Sequence, residues 1–475
     1  SASASGNFDS KNAGTRTATA TYTLGDDSLS GGLSGGLAGN YTLSDNSLLS
    51  ATIAQRAAST WIAGTTGVWS NPANWDAIPD RANVLDVAIP AGVTVQFDSA
   101  AGATQLRSLT SAGALNLTGG SLAVANSLST PNYVQTGGTL SGTGALTVST
   151  SFSQRGGGID LGGAVDITQV TGNLSVGAIS AASIRLASQN GAISQTGALV
   201  TAGLLATQSA GSTVLNDMGN RVNAFSANSV GDLALTNTGL LDVQRLLSSQ
   251  GSIVINNTGG ISSSGAIAAP SGSIALTANS PLTVGTAGLQ ALGDVNLTAT
   301  DLTSAGSITL NGAVVSTSGS VTLAAANNLV QNSAISAALG VTGRAGLAGS
   351  GGAVSFGVDA TSDAKSISYL LNGLAVTAPP QLIKPVVVVV PPTNFVTAFL
   401  DVFENALTET VAVAAPAPVT KSTAAEAEPA AKSAAADSEV TADKPAGTTK
   451  DKDKEKEKEK EKTEVVIGGN ACTPG

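Results

Sequence analysis

The amino-acid sequence predicts an all-β protein whose main body is a right-handed parallel β-helix, a solenoid in which short strands stack coil upon coil. Three observations predict this fold. A glycine-led repeat recurs about every twenty residues, Lys and Glu are absent between Lys11 and Lys365, and the apolar content comes from small aliphatic side chains. Only 11% of residues are charged and 3% are aromatic, so Ser, Thr, Asn and backbone groups must solvate the surface.

Residues 1–57 predict a small β module that precedes the solenoid. Residues 17–24 consist mostly of β-favouring residues, and a glycine-rich stretch follows at 31–39. Asn40-Tyr41-Thr42-Leu43 then leads to a closing Ala51-Thr52-Ile53. The alternation of short β-favouring runs with glycine predicts strands joined by turns.

Residues 58–104 contain all three tryptophans of the chain, Trp61, Trp69 and Trp75. A solenoid needs a specialised terminal coil, because its first coil has no neighbour to cover the core. We therefore expect the three indoles to cap that core, with stacking against a bound ligand as the alternative.

The repeat itself fills residues 105–378. Each copy is a glycine, one small or polar residue and an aliphatic-polar-aliphatic triplet; from Gly172 to Gly293 the spacings are 19, 20, 20, 20, 21 and 21 residues. This alternation places the aliphatic side chains on the inner face of each strand. We expect glycine and asparagine, as in Asn256-Asn257-Thr258-Gly259-Gly260, to supply the positive φ of the turns. The copies begin at Gly113, Gly144, Gly172, Gly231, Gly251, Gly272, Gly293, Gly306 and Gly319.

Beyond the repeat, residues 369–374 are the candidate closing element of the solenoid. Residues 379–411 are rich in proline and include a stretch, 394–410, in which apolar residues recur at the spacing of a short amphipathic helix. Residues 412–475 are an Ala/Pro and Lys/Glu tail that we expect to be disordered, because it has almost no large apolar side chain to bury.

Several of these segments resemble a known family. Gly6-Asn7-Phe8-Asp9-Ser10 and Leu37-Ala38-Gly39-Asn40-Tyr41 resemble the YDG-type module of bacterial haemagglutinin-like exoproteins. Trp69-Ser70-Asn71-Pro72-Ala73-Asn74-Trp75 and the repeats resemble the opening segment and β-helical shaft of filamentous-haemagglutinin-like, two-partner-secretion adhesins. This resemblance covers about residues 1–380 and implies a secreted or outer-cell-surface protein with an outer-membrane secretion partner encoded upstream.

The residues argue against most catalytic chemistry. Histidine is absent and Cys472 is the single cysteine, so a Ser-His-Asp arrangement and a cysteine metal cluster are excluded. The net charge of −10 argues against a nucleic-acid partner. We expect no catalytic residue, metal or cofactor, and we interpret the scattered Asp and Arg residues as single surface charges at turns.

The function predicted from the resemblance is cell adhesion: attachment of the shaft to a glycan or protein receptor on host cells, other bacteria or a biofilm matrix. The main alternative is a structural filament that associates end to end with its own copies. A polysaccharide-degrading β-helix enzyme is a distant third. Cys472 is a candidate anchor near the C-terminus, with a free thiol as the alternative.

Overall fold

The computed structural model of the chain describes residues 2–10, 12–26, 37–40, 48–80, 82–279, 281–302, 305–347 and 351–380. Within these ranges the protein is nearly all β, with three short 3-10 helices and no α-helix. The predicted helix at 394–410, the predicted disordered tail and Cys472 lie outside the described residues. The 3-10 helices are Ala38–Asn40, Pro72–Asn74 and Ser99–Ala101.

The predicted N-terminal β module is confirmed as a three-stranded antiparallel sheet. Its central strand, Gly14–Leu24, pairs with Ala2–Phe8 on one side and Leu48–Ile53 on the other. The Asn83 side chain joins this sheet to the solenoid: its Oδ1 accepts a hydrogen bond from the Ala13 N–H at 2.8 Å, and its Nδ2 donates to Asn12 Oδ1 at 3.3 Å.

The predicted parallel β-helix is also confirmed, as a solenoid of about 13 turns with three faces. Each coil passes through the first, second and third face in that order, and each strand pairs in parallel with the strand one coil away. The first face runs from Arg56–Thr60 to Thr361–Asp363. The second face begins with the strand Thr66–Val68. The third face begins with the first half of the strand Ala103–Ser111. Parallel stacking therefore starts at Arg56, just before the tryptophan-containing segment 58–104.

Long strands pass around the corners of the solenoid and contribute to more than one face; Ser121–Gln135 contributes to all three. The solenoid strands are, in chain order, Arg56–Thr60, Thr66–Val68, Val84–Ile89, Thr94–Phe97, Ala103–Ser111, Ala114–Leu117, Ser121–Gln135, Thr139–Gly142, Ala145–Gln154, Gly158–Leu161, Ala164–Gln169, Leu174–Val176, Ile179–Ser180, Ser183–Ser188, Ile193–Gln195, Leu199–Ser209, Thr213–Leu215, Arg221–Ser229, Leu233–Asn237, Leu241–Ser248, Ile253–Asn257, Ile261–Ser263, Ile267–Ala269, Ile274–Ala278, Leu282–Val284, Leu289–Ala291, Val295–Ala299, Ile308–Leu310, Val314–Ser316, Val321–Ala325, Leu329–Gln331, Ala334–Ala337, Gly340–Ala345, Val354–Phe356, Thr361–Asp363, Ser366–Leu371 and Leu374–Val376.

The core consists of columns of aliphatic side chains that run along the solenoid axis. On the second face, Leu235, Ile255, Leu276, Leu297 and Leu323 occupy equivalent positions on successive coils, and all are buried. Burial of each such side chain contributes about 1.5–3 kcal/mol. The stability of the solenoid therefore grows with the number of coils.

Asparagine forms a polar column inside the same core. Asn237 Nδ2 donates to Asn257 Oδ1 of the next coil at 3.0 Å, and its Oδ1 accepts from the Val222 N–H at 2.8 Å. Asn257 Nδ2 in turn donates to the carbonyl oxygens of Gly239 and Gly260 at 2.8 and 2.7 Å. These buried amides satisfy backbone carbonyls at the corner where the second face ends.

The expectation that glycines and asparagines provide positive φ is confirmed at some turns, such as Gly138 and Gly239 with φ of 66° and 105°, but it is wrong for most glycines that open a repeat. Among the repeat glycines only Gly172 has a positive φ, of 77°, and no residue of 256–260 has one. The other repeat glycines are needed because the preceding coil or turn leaves no room for a side chain. A β-carbon at Gly113 would overlap the Val93 carbonyl oxygen, and one at Gly259 would overlap that of Gly239. The spacing between coils, and not the turn conformation, requires glycine there.

A β-hairpin closes the second face at the C-terminal end. Ser366–Leu371 pairs in antiparallel fashion with Leu374–Val376, and Asn372 at the turn has a φ of 50°. Tyr369 is buried, and its hydroxyl donates to Gln331 Oε1 at 2.7 Å and lies 2.8 Å from Ser362 Oγ. Burial raises the pKa of Tyr369 to about 12, so the neutral phenol holds the last coils together.

Replacing Gly265 by alanine tests the glycine requirement. A β-carbon at Gly265 would overlap the Gln244 carbonyl oxygen of the preceding coil. We expect Gly265→Ala to lower the free energy of unfolding by about 1–3 kcal/mol through overpacking. The matched control is Gly158→Ala, since no atom lies within 4 Å of a β-carbon there; it should change stability by less than about 0.5 kcal/mol. Thermal unfolding followed by circular dichroism measures both, and equal effects would contradict the explanation.

Candidate functional site on the outer surface of the solenoid

The outer surface of the second face carries columns of small side chains. Ala234, Val254, Ala275, Asn296 and Thr322 lie at equivalent outward positions on successive coils. A parallel column contains Thr236, Asn256, Thr277 and Thr298. Neighbouring strands are about 4.8 Å apart, so over these coils the face presents one uncharged pattern repeated along the axis.

Between Ser212 and Ser320, the polar residues that follow the repeat glycines form an outer hydrogen-bond ladder. Ser212 Oγ accepts from the Asp232 N–H at 3.1 Å, and Asp232 Oδ1 accepts from the Ser252 N–H at 2.9 Å. The ladder continues through Ser273 and Asp294, whose side chains accept from the equivalent N–H one coil further on. The sequence carried this signal, a polar residue after glycine every twenty residues or so, but its role was not predicted.

The expectation that Asp and Arg are single surface charges at turns needs correction. Arg185 Nη1 lies 2.8 Å from Asp166 Oδ1, and these two residues are direct partners on neighbouring strands of the first face. Arg107 also pairs with Asp86 one coil earlier, although the direct strand partner of Asp86 is the neighbouring Ser108. The coil spacing brings opposite charges together, although a pair as exposed as Arg107–Asp86 contributes less than about 1 kcal/mol.

Asp76 fixes the loop that contains the tryptophans. Its Oδ1 accepts from the Thr60 N–H at 2.7 Å and from Ser59 Oγ at 3.1 Å, and its Oδ2 lies 3.0 Å from Arg56 Nη2. Burial alone would raise the pKa of Asp76, but the hydrogen bonds from Thr60 and Ser59 and the Arg56 charge outweigh it and lower the pKa. The fold therefore stabilises the ionised form of this carboxyl group.

The three tryptophans form one buried cluster in the first coils. Trp61 and Trp75 meet edge to face with ring centroids 5.1 Å apart, and the Trp69 and Trp75 centroids are 4.7 Å apart. Trp75 Nε1 donates to the Trp69 carbonyl oxygen at 3.0 Å. At 3–4% exposure, the indoles have almost no surface on which a ligand could stack. Their role as a cap stays a prediction.

Substitution of Trp75 tests the cap. We expect Trp75→Leu to lower the free energy of unfolding by about 2–4 kcal/mol, because it leaves a cavity between the other two indoles. Ile62→Ala is the matched control, since Ile62 lies in the same segment and is 61% exposed. Tryptophan emission reports only on this end of the solenoid, whereas circular dichroism reports on all coils. A loss of stability no larger than that of the control would count against the cap.

The described residues give no sign of a metal centre or a membrane helix. No group of three or more His, Cys, Asp or Glu residues is arranged to hold a metal ion within the described ranges. No helix in that part of the chain has the length and apolarity to cross a membrane. The expectation that the protein needs no metal or cofactor stays a prediction.

Comparison with known proteins adds no relative. No protein-family profile, curated protein or solved structure matches the chain. The stacked strands therefore establish the β-solenoid by themselves. The resemblance to filamentous-haemagglutinin-like adhesins and to the YDG-type module rests on the sequence motifs alone.

Proposed function

We propose that the chain is a non-catalytic, adhesin-like exoprotein, secreted or held at the bacterial outer surface, whose solenoid attaches to cells, glycans or a biofilm matrix. The observation that carries the proposal is the repeated uncharged outer pattern of the second face. Ala275, Asn296 and Thr322, for example, present small side chains at one position on successive coils. A surface of this kind can make the same weak contact many times along one extended partner.

Repetition matters because single contacts of this kind are weak. Once one coil is bound to a polymer, the next coil meets the polymer at a high effective concentration, so the total affinity exceeds that of each contact. Side-chain amides and hydroxyls, such as those of Asn256 and Thr277, donate and accept hydrogen bonds and suit the hydroxyls of glycans. Extended polysaccharides are therefore the receptor class that this surface fits best.

End-to-end self-association is the second candidate, and one observation favours it. Val354–Phe356 and Thr361–Asp363 are the last strands of the third and first faces, and no further described strand pairs with them. Val358 and Leu374 are exposed beside them at 102% and 74%. Open strand edges next to exposed apolar side chains are places where a second copy can add strands.

Attachment and self-association are separated by one set of measurements on the full chain. We expect monomeric rods, whose length in electron micrographs does not depend on protein concentration, to adhere to cultured cells or immobilised polysaccharides. The control for adhesion by unfolded protein is a sample of the chain that has been unfolded by heat and has not refolded on cooling. Rods that lengthen with concentration would support the filament, and rods that bind no cell, polysaccharide or biofilm surface would rule out adhesion.

A further inference from the structure

Among the described strands, the hydrogen-bond ladder of the second face is interrupted at one place. Leu174–Val176 pairs with Ile193–Gln195 on the following coil, but it lies in a different sheet from Ala145–Gln154 on the preceding coil. We call the space between residues 152–155 and residues 173–175 the ladder gap. Beyond the gap, between Thr213 and Ser368, each strand of the second face pairs with the strand on the next coil.

Two glutamines take the place of backbone partners at the two ends of the gap. Gln169 Oε1 accepts from the Phe152 N–H at 2.8 Å, and Gln154 Oε1 accepts from the Gly177 N–H at 2.9 Å. Each glutamine also donates to a nearby carbonyl oxygen, of Thr171 and of Ala178 respectively. The side chains thus hold the two strands in place without closing the space between them.

The gap opens into a surface cavity of about 370 Å³. This volume is at the lower end of the range of small-molecule sites. Backbone groups also face it: the Leu174 N–H bonds to the Ala192 carbonyl on the following coil, so the alternating Ser175 N–H and C=O point the opposite way, into the gap. The residues that line the cavity are Phe152, Ser153, Gln154, Arg155, Asn173, Ser175 and Thr196.

Arg155 gives the cavity its charge. It is the only charged residue of the lining, which otherwise offers hydroxyls and amides. Arg107 and Arg185 each pair with an aspartate one coil away, and Arg56 pairs with Asp76 of the tryptophan-containing loop. Among the described residues, in contrast, no carboxylate lies within ion-pair distance of Arg155. An exposed guanidinium beside neutral hydrogen-bonding groups suits a carboxylate-bearing ligand, which it can bind with two parallel hydrogen bonds.

We propose that the ladder gap binds one acidic sugar unit, a hexuronate within a polysaccharide, with its carboxylate on Arg155 and its hydroxyls on Ser153, Asn173 and Thr196. The ligand is a sugar and not a peptide strand, because Gln154 and Gln169 close the two ends through which an added strand would have to run. This inference rests on the proposed attachment to glycans and gives it a specific subsite.

Titration of the full chain with trigalacturonate, and with the neutral trisaccharide of galactose, tests the subsite by isothermal calorimetry. We expect binding of the acidic trisaccharide only, and Arg155→Gln should weaken it about tenfold, the loss of roughly one charge-assisted hydrogen bond. Arg221→Gln is the matched control, because Arg221 is also exposed and lies on the third face away from the gap. It should bind as the unmodified chain does.

The outcomes separate the subsite from the wider function. Equal binding of the neutral and acidic trisaccharides, equal loss in both variants, or no binding of trigalacturonate would each overturn the subsite. If the chain still adheres to cells or polysaccharides in that case, the proposed function survives. If trigalacturonate binds through Arg155 but no surface retains the chain, the subsite stands and the adhesive function fails.

Discussion

The backbone hydrogen bonds between successive coils are the constraint on which the rest of the structure depends. They fix neighbouring strands about 4.8 Å apart. Each side chain must therefore fit against the residues at the equivalent positions of the coils on either side. Aliphatic side chains stack into a core, and Asn237 and Asn257 stack into an amide pair. Where a carbonyl of the preceding coil comes too close, as at Gly113, only glycine fits.

The same constraint governs the outer surface. An aspartate after a repeat glycine, such as Asp232, accepts a hydrogen bond from the next coil, and an aspartate within a strand, such as Asp166, meets an arginine at the equivalent position. Several of the few charges are therefore used between coils. On the second face, outward positions such as Ala275, Asn296 and Thr322 are left to uncharged residues, and the proposed attachment to extended glycans rests on them. Arg155 stands apart because its coil is where the second face is interrupted.

The sequence predicted the solenoid well because its main signal, a repeat of nearly constant length, can be recognised along the chain without a three-dimensional structure. Period-two alternation identified Ile253 and Ile255 as inward residues, and the spacing of about twenty identified their partners Ile274 and Leu276 on the next coil. The role of the glycines could not be predicted, because it depends on the distance to a carbonyl of another coil. The ladder gap was missed for a similar reason. Its sequence signal is only a longer interval, since Phe152 and Leu174 are 22 residues apart whereas Leu174 and Ile193 are 19 apart.

Removal of one coil tests most directly whether equivalent positions on successive coils are interchangeable. Deletion of residues 253–273 brings Ile274 to the position of Ile253 and preserves every column. Deletion of residues 253–262, in contrast, shifts the strands that follow it onto a different face of the solenoid. We expect the first variant to keep the β-type circular dichroism spectrum and to melt within a few degrees of the full chain, and the second to lose its cooperative transition. Equal damage from both deletions would contradict the account.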